Sequence, residues 1–205
     1  MDWQLPRLMI AFEGLDGTGK STIAQRLARE LKAVALSTPA EELRGCRPAI
    51  DALYADNGLA SQLYYASTVV EASRQARRHQ ASGRSVVVDR YWLSTCAYDV
   101  FRDGTVDLRA VGDKLLRPDV TVFVDALDAT RASRMEGRGV KTRVDRLSLE
   151  RGMLLRGRYE ELLGSAWVKD VIRLDTTHLN IDESVDEVLI ALDRLFVEPP
   201  LRRFA

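Results

Sequence analysis

The fold is decided by residues 14–21, Gly14-Leu15-Asp16-Gly17-Thr18-Gly19-Lys20-Ser21, which follow an apolar run at residues 8–12. They match the pattern G-x-x-x-x-G-K-[ST] of a phosphate-binding loop. The glycines let backbone N–H groups turn inward around anionic oxygens, while Lys20 supplies a cation and Ser21 a hydroxyl ligand for Mg²⁺. Apolar residues recur at helical spacing over residues 22–31, so a helix N-terminus faces the same phosphates. A glycine turn without a ligand is the alternative, and the complete pattern in this context argues against it.

Five short apolar runs rich in β-branched residues alternate with helical patterns along the chain. They cover residues 8–12, 33–36, 85–88, 120–124 and 168–174. This alternation predicts βαβ units that build a parallel sheet with helices on both faces. Loops after parallel strands gather at one edge of the sheet, so we expect functional residues just past the strand ends. With 205 residues, 46% of them apolar, the chain is predicted to form one α/β domain over residues 1–205.

The composition excludes several classes of protein. The 30 basic and 30 acidic residues give a formal net charge of zero, so we expect neither nucleic acid nor a membrane as a partner. Cys46 and Cys96 lack metal-binding spacing, which indicates free thiols in a reducing compartment. The amino-terminal apolar run is too short for a signal peptide or a membrane span. We therefore expect a cytoplasmic protein without a targeting segment.

The third apolar run ends in Asp89, Arg90 and Tyr91. An acid at the tip of a strand beside the phosphate loop can hold Mg²⁺ or orient an attacking oxygen, and Arg90 can clamp a second phosphate. Either residue alone is also consistent with an ordinary ion pair or a helix cap. Together with the phosphate loop, the pair predicts a site that brings two phosphate groups together.

A basic stretch follows the fourth apolar run, with nine basic residues against three acids between Arg131 and Arg158. Residues 137–143 combine hinge-like glycines with cations, which is typical of a mobile lid over transferring phosphates. We place this lid at about residues 136–147. Arg131, Arg151 and Arg158 are predicted to lie on a solvated face. Nucleic-acid binding is less favoured because no aromatic residues are interleaved with these cations.

Local patterns predict two helix starts and one aromatic surface. Residues 37–39, Ser-Thr-Pro, read as the cap and first turn of a helix, and Asp125 and Asp128 read as capping acids. Tyr64 and Tyr65 lie in a long helical pattern at residues 59–84. They are predicted either to be buried in the core or to form a wall on which a base stacks.

The motifs together resemble those of the thymidylate kinase family over nearly the whole chain. They are Phe12 to Thr22, Asp89-Arg90-Tyr91 with Ser94 and Ala97-Tyr98, Arg117-Pro118-Asp119, and Arg156-Gly157-Arg158-Tyr159. Residues 31–34, 89–95 and 137–143 are most similar to the branch that includes the mitochondrial UMP/CMP kinase. The resemblance implies a three-layer phosphate-loop fold with strand order 2-3-1-4-5, and a homodimer. It also implies ATP-dependent phosphorylation of a pyrimidine nucleoside monophosphate to the diphosphate, with Mg²⁺ as cofactor.

The resemblance implies roles for individual residues as well. The expected ATP-binding residues are Gly14, Leu15, Asp16, Gly17, Thr18, Gly19, Lys20, Ser21, Thr22 and Arg134. The expected acceptor-binding residues are Asp16 at the sugar hydroxyl, Tyr64, Tyr65, Arg90 and Tyr98. Ser21 and Asp89 would hold the metal. The expected catalytic residues are Lys20, Asp89 and Arg90, with Arg138 and Arg143 from the lid because position 17 is glycine instead of arginine. Lys141 and Arg146 are further lid candidates.

Two departures from the family pattern leave the base of the acceptor open among dTMP, dUMP, dCMP, UMP and CMP. Thymidylate kinases carry Thr-Arg-Glu-Pro-Gly-Gly after the second strand, where this chain has no arginine at residues 36–39. They also carry an arginine that holds thymine, and its position falls here on Thr68 or Val69. Candidates to replace it are Arg44, Arg47 and Arg74.

Two other functions are considered. A deoxynucleoside kinase would bind one anionic substrate, and it is disfavoured by Arg90 and the basic lid. A non-catalytic, nucleotide-dependent switch is disfavoured because the sequence lacks the Asn-Lys-x-Asp motif that reads guanine.

Overall fold

A parallel sheet of five strands lies at the centre of the structure, in the order β2-β3-β1-β4-β5. The computed structural model describes residues 6–101, 106–139 and 143–196, apart from the side chains of residues 44, 138, 143 and 144. The strands are β1 Met9–Gly14, β2 Val34–Ser37, β3 Val86–Asp89, β4 Val120–Asp125 and β5 Asp170–Asp175. The five apolar runs therefore form the five strands, and the expected strand order is confirmed.

Helices cover both faces of the sheet. They are α1 Lys20–Glu30, α2 Arg47–Leu53, α3 Gly58–Ala81, α4 Trp92–Tyr98, α5 Arg109–Gly112, α6 Asp128–Arg138, α7 Arg143–Glu150, α8 Gly152–Leu163 and α9 Ile181–Phe196. Two 3₁₀ helices, Glu41–Cys46 and Asp99–Phe101, precede α2 and follow α4. Among the described residues, no helix combines the length and the apolar character that crossing a membrane requires.

The core is divided into two halves by the sheet. Alternate residues of β1 point to opposite faces, so Met9 packs with α3, α4 and α8 while Ile10 packs with α1 and α9. All six residues of β1 are buried, as are Ile23 and Leu27 of α1. Burying such a side chain contributes about 1.5–3 kcal/mol, so the apolar strands hold the phosphate loop on a rigid base.

The strand register brings the functional segments to one edge. Phe12 pairs with Asp89, Ser37 also pairs with Asp89, and Gly14 pairs with Val124. The carboxyl ends of β1, β2, β3 and β4 therefore lie side by side. This places the phosphate loop next to the Asp89-Arg90 turn, as the sequence predicts.

Two predictions of helix starts are wrong. Ser37 ends β2 instead of capping a helix, and the next helical turn begins only at Glu41. Asp125 ends β4, and Leu127 is the N-cap of α6. The reason at α6 is that the guanidinium of Arg156 occupies both acids, with Nε 2.7 Å from Asp125 Oδ2 and Nη2 2.8 Å from Asp128 Oδ1.

The prediction that Arg131 lies on a solvated face is also wrong. Its side chain is fully buried, because neighbouring segments supply acceptors for each of its three nitrogens. Arg151 is exposed and Arg158 pairs with Glu161 near the surface, as predicted. Cys46 and Cys96 are free thiols.

Candidate active site

The phosphate loop needs glycine where it approaches other segments. Gly14 has φ of 132°, and a Cβ there would lie 2.1 Å from the Val124 carbonyl oxygen of β4. Gly17 has φ of 84°, and a Cβ would lie 2.7 Å from the carbonyl oxygen of Arg131 in α6. L-residues rarely adopt these backbone angles, so both positions favour glycine. The loop therefore packs closely between β4 and α6.

Lys20 is the first residue of α1, and its side chain is folded back over the loop. Its Nζ donates to the Leu15 carbonyl and lies 3.4 Å from Thr18 Oγ1. Burial and the positive charge of Arg90 lower the pKa of Lys20 to about 7, although nearby acids, first Asp16, raise it. An anionic phosphate in the loop would favour the charged form. Lys20 is therefore a buried amine whose positive charge is only partly balanced by the nearby acids, and this suits it to bind a phosphate.

Asp16, Arg90 and Tyr98 form a cluster beside the loop. The Arg90 guanidinium donates to the Asp16 carboxylate, and its Nη1 donates to the Gly14 carbonyl at 3.1 Å. Tyr98 donates its hydroxyl to Asp16 Oδ2 at 2.6 Å, and its ring centroid is 5.0 Å from Arg90 Cζ. Burial alone would raise the pKa of Asp16, but the charges of Arg90 and Lys20 hold it well below its usual range. The carboxylate therefore stays ionised and orients Arg90.

The Asp89 side chain meets the criteria for a metal ligand. It is 9% exposed, and Oδ1 has no hydrogen-bond partner among the described residues. Asp89 and Ser21 border the same cleft. A buried carboxylate oxygen without a partner calls for a ligand, and carboxylate and hydroxyl oxygens suit Mg²⁺. These two residues therefore fit the expected metal.

Two adjoining cavities meet at Asp16 and Arg90. The outer one, about 350 Å³, is lined by Asp16, Gly17, Gly19, Lys20, Ser21, Thr22, Ser37, Thr38, Pro39, Arg47, Pro48, Asp89, Arg90, Met135, Gly139 and Asp145. The inner one, about 40 Å³, is lined by Asp16, Thr38, Pro39, Arg47, Tyr65, Arg90, Ser94, Thr95 and Tyr98. The phosphate loop borders the outer cavity, while α3 and α4 close the inner one. Arg90 therefore borders both cavities, with the phosphate loop on one side and α3 and α4 on the other.

The two tyrosines of α3 differ in position. Tyr65 is buried, lines the inner pocket, and donates its hydroxyl to Asp51 Oδ1 at 2.7 Å. Tyr64 packs edge-on against Tyr65, with ring centroids 5.2 Å apart, and is not among the lining residues of either cavity. Of these two tyrosines, Tyr65 is therefore the one that lines the inner cavity.

The structure describes Arg134 and part of the predicted lid that follows it. Arg134 on α6 donates to the carbonyl and hydroxyl oxygens of Thr176, at 2.7 and 3.0 Å, beyond the end of β5. Arg146 is exposed on α7. Lys141 and the side chains of Arg138 and Arg143 lie outside the described part of the chain. The backbone of α6 and α7 places both helix ends near the outer cavity, which Gly139 and Asp145 line.

Glu13 has a role in the site that the sequence reasoning missed. Its buried carboxylate accepts the backbone N–H groups of Tyr91, Leu93 and Ser94, at 3.1, 3.0 and 2.9 Å. It therefore fixes the start of α4, directly after Arg90. Burial raises the pKa of Glu13 to about 7, although the Ser94 hydroxyl and Arg90 lower it. The sequence feature that could have revealed this role is the position of Glu13, an acid inside an otherwise apolar strand.

Comparison with known proteins gives a consistent result. Residues 12–188 match the family model described as thymidylate kinase. The chain is 31% identical to thymidylate kinase from Chlorobium luteolum over 137 residues, which cover 58% of this chain and 63% of that relative. The aligned part thus spans slightly less than two thirds of that relative's length.

Solved structures share the fold. Thymidylate kinase from Candida albicans superposes with a TM-score of 0.71 at 18% identity, covering 94% of each chain. Deoxyadenosine kinase from M. mycoides superposes with a TM-score of 0.68 at 20% identity, covering 91% of this chain and 100% of the other. The phosphate-loop kinase fold is therefore shared by kinases of monophosphates and of nucleosides.

Proposed function

Because this chain belongs to the thymidylate kinase family, a family of nucleoside monophosphate kinases, we propose that it phosphorylates a pyrimidine nucleoside monophosphate with ATP. The observation that carries the proposal is the position of Arg90. Its guanidinium contacts both the Gly14 carbonyl of the phosphate loop and the Asp16 carboxylate, at the junction of the two cavities. A cation at this junction can hold an acceptor phosphate next to the γ-phosphate of ATP.

On the ATP side, the loop amides, Lys20 and the start of α1 bind the phosphates. Ser21 and Asp89 would hold Mg²⁺, which when bound neutralises charge on the β- and γ-phosphates. An oxygen of the acceptor phosphate forms a bond to the γ-phosphorus, and the bond from that phosphorus to the bridging oxygen breaks, so ADP leaves with the electron pair. We assign Arg134, which donates to Thr176 beyond the end of β5, to ATP binding. We assign charge neutralisation during transfer to the lid cations Arg138 and Arg143.

On the acceptor side, Asp16 and Tyr98 bind the sugar, and Tyr65 provides an apolar wall for the base. Of the three arginines considered as replacements for the thymine-binding arginine, Arg47 lines both cavities together with Arg90. Arg74 instead pairs with Glu71 on the exposed side of α3. We therefore propose that Arg47 binds the acceptor.

The positions that would carry the thymine-binding arginine are filled differently here. Thr68 donates its hydroxyl to the Tyr65 carbonyl, and Val69 is fully buried in the core. Loss of a hydrogen-bonding partner in a pocket weakens selection between substrates. We propose that the acceptor range includes dTMP and extends to other pyrimidine monophosphates.

The test is a coupled assay of ADP formation with dTMP, dUMP, dCMP, UMP and CMP, and with thymidine and no acceptor as controls. A monophosphate should accelerate ATP consumption, and thymidine should not. Arg47→Ala should raise the KM for the acceptor about tenfold or more, the effect of losing one charged contact. Arg74→Ala is the matched control and should leave it unchanged.

Two results would contradict the proposal. Acceleration by nucleosides alone would indicate a nucleoside kinase. ATP consumption that no monophosphate changes would favour a nucleotide-dependent switch.

A further inference from the structure

The fully buried side chain of Arg131 is not accounted for by the substrate contacts described above. Its Nε donates to the backbone carbonyl of Asp16 at 2.8 Å, and its Nη1 donates to Asp128 Oδ1 at 2.7 Å. Its Nη2 donates to the carbonyl and hydroxyl oxygens of Ser148, at 2.9 and 3.1 Å. The guanidinium thus joins its own helix, α6, to two other segments, the phosphate loop and α7.

The three elements joined in this way are the phosphate loop, α6 and α7. Asp16 belongs to the phosphate loop, and Arg131 bonds to its backbone carbonyl, whereas Arg90 bonds to its carboxylate. Asp128 begins α6, and Ser148 lies on α7. The predicted lid, at about residues 136–147, contains the end of α6 and the first part of α7. The backbone of Arg131 also backs the loop, since its carbonyl lies where a Cβ on Gly17 would collide.

The energetics favour a single arrangement of these segments. A buried guanidinium is costly unless all its donors are satisfied, and here two of the groups that satisfy it are neutral carbonyls. The carboxylate of Asp128 is 55% exposed and is shared with Arg156, so it compensates only part of the charge. If α7 moved away from the loop, Nη2 would lose both its acceptors at once. The rigid fork of the guanidinium therefore stabilises the state in which loop, α6 and α7 are docked together.

We propose that Arg131, on α6, is a positioning residue that couples the phosphate loop to α6 and α7, the two helices that carry the lid. This inference rests on the proposed function. In it, Arg131 sets the geometry in which the lid cations reach the phosphates that the loop binds. It touches neither substrate itself. Its removal should act on ATP binding and turnover more than on the acceptor.

The test compares Arg131→Met, which keeps the volume and removes the donors, with Arg131→Lys, which keeps the charge and loses the fork. The matched control is Arg156→Met, because Arg156 shares Asp128 but donates to neither the loop nor α7. We expect Arg131→Met to lower kcat at least tenfold and to weaken ATP binding measured by calorimetry. The acceptor KM should change less than threefold. Arg131→Lys should recover part of both losses, while Arg156→Met should lower Tm without the loss of kcat.

Two results would overturn the proposal. One is a folded Arg131→Met enzyme with unchanged ATP affinity and kcat, and the other is an equal loss in Arg156→Met. If Arg131→Met does not fold, Arg131→Lys decides, because activity and ATP affinity equal to the parent would show that the fork is dispensable. ATP binding needs no acceptor, so the calorimetric measurement of ATP affinity still tests the role of Arg131 if no monophosphate is phosphorylated.

Discussion

The backbone of Arg90 adopts φ of 64°, a left-handed conformation that is unusual for a residue with a side chain. Such a conformation costs on the order of 1–2 kcal/mol, so the surroundings must hold it. They do so through the Arg90 N–H, which donates to the Phe12 carbonyl at 2.9 Å, and the Thr38 hydroxyl, which donates to the Arg90 carbonyl at 2.8 Å. The turn directs the guanidinium back to the phosphate loop. Strain at this residue is thus compensated by bonds to β1 and to the segment after β2.

Lys20→Ala is expected to lower the rate of phosphoryl transfer about 10²-fold or more, because it removes a cation that would contact the transferring phosphate. The fold should persist, because the hydrogen bonds of the Lys20 ammonium to described residues all lie within its own loop. ADP formation measures the first effect and circular dichroism the second. Lys169→Ala, on an exposed side chain paired with Asp119, is the control and should keep full activity. An unfolded Lys20→Ala protein would contradict the catalytic assignment.

Glu13 predicts a pH dependence of stability. Its pKa is about 7 in the folded protein against the ordinary 4.5 when unfolded, so the folded state holds the proton more tightly. As pH rises from 4.5 to 7, the unfolded chain releases the proton first, and the free energy of unfolding falls by about 3 kcal/mol. Glu13→Gln cannot ionise, so its free energy of unfolding should decline less over this range. Urea melts at several pH values measure the difference.

The matched control for this prediction is Glu160→Gln. A hydrogen bond from Arg173 lowers the pKa of Glu160, so its contribution is lost only as pH falls below 4.5. The Glu160 variant should therefore keep the decline between pH 4.5 and 7. If Glu13→Gln declines as steeply as the parent, Glu13 is ionised throughout, held by the N–H groups of α4.

At the scale of elements, the sequence predicted the strands well and the helix starts poorly. The apolar runs identify the three inner strands, β1, β3 and β4, because these are buried on both faces and show no polar alternation. The cap-like residues 37–39 failed as a helix signal because parallel pairing carries β2 through Ser37, opposite Asp89. The burial of Arg131 depends on acceptors at residues 16 and 148, which no local pattern reveals. Long-range packing therefore decided the cases in which local signals failed.

The contact between β1 and β4 depends on Gly14. An added Cβ would lie 2.1 Å from the Val124 carbonyl oxygen at φ of 132°. Gly14→Ala is expected to destabilise the fold by roughly 3 kcal/mol or more, since neither backbone can yield without breaking the sheet pairing. Thermal unfolding measures the loss.

Gly83→Ala is the matched control for Gly14→Ala. Gly83 follows the end of α3 with φ of 83°, and no atom lies within 4 Å of an added Cβ. This variant carries only the conformational cost, about 1 kcal/mol. Equal losses in the two variants would show that the contact with β4 is unimportant.

At the scale of the whole molecule, the candidate site depends on residues far apart in sequence. Tyr98 and Asp16 are 82 positions apart, and Arg90 and Asp16 are 74 apart. The phosphate loop and the strand-end pair could be predicted from motifs, because each is a local pattern with its own chemistry. Their meeting depends on β3 lying next to β1, which only the family resemblance implied. The proposal of Arg47 over Arg74 depends on the structure, since spacing alone does not show which arginine lines the inner cavity, and the side chain of Arg44 lies outside the described part of the chain.

An exposed apolar stripe on α3 leads to the last prediction, which concerns assembly. Leu59, Leu63 and Val70 are 43%, 49% and 47% exposed, and their spacing places them on one side of the helix. Contiguous exposed apolar side chains are unfavourable in water and mark interaction surfaces. We expect a second copy of the chain to cover this stripe, giving the homodimer that the family resemblance implies.

Sedimentation equilibrium at micromolar concentration tests this expectation. The parent should sediment at about twice the 23.0 kDa of one chain. The double variant Leu63→Lys/Val70→Lys should sediment at the mass of one chain, because two pairs of like charges would face each other across the two-fold axis. Met153→Lys alters a side chain that is 82% exposed on α8 and should leave the mass of the parent unchanged. A monomeric parent would rule out the dimer, and a dimeric double variant would place the interface on another face.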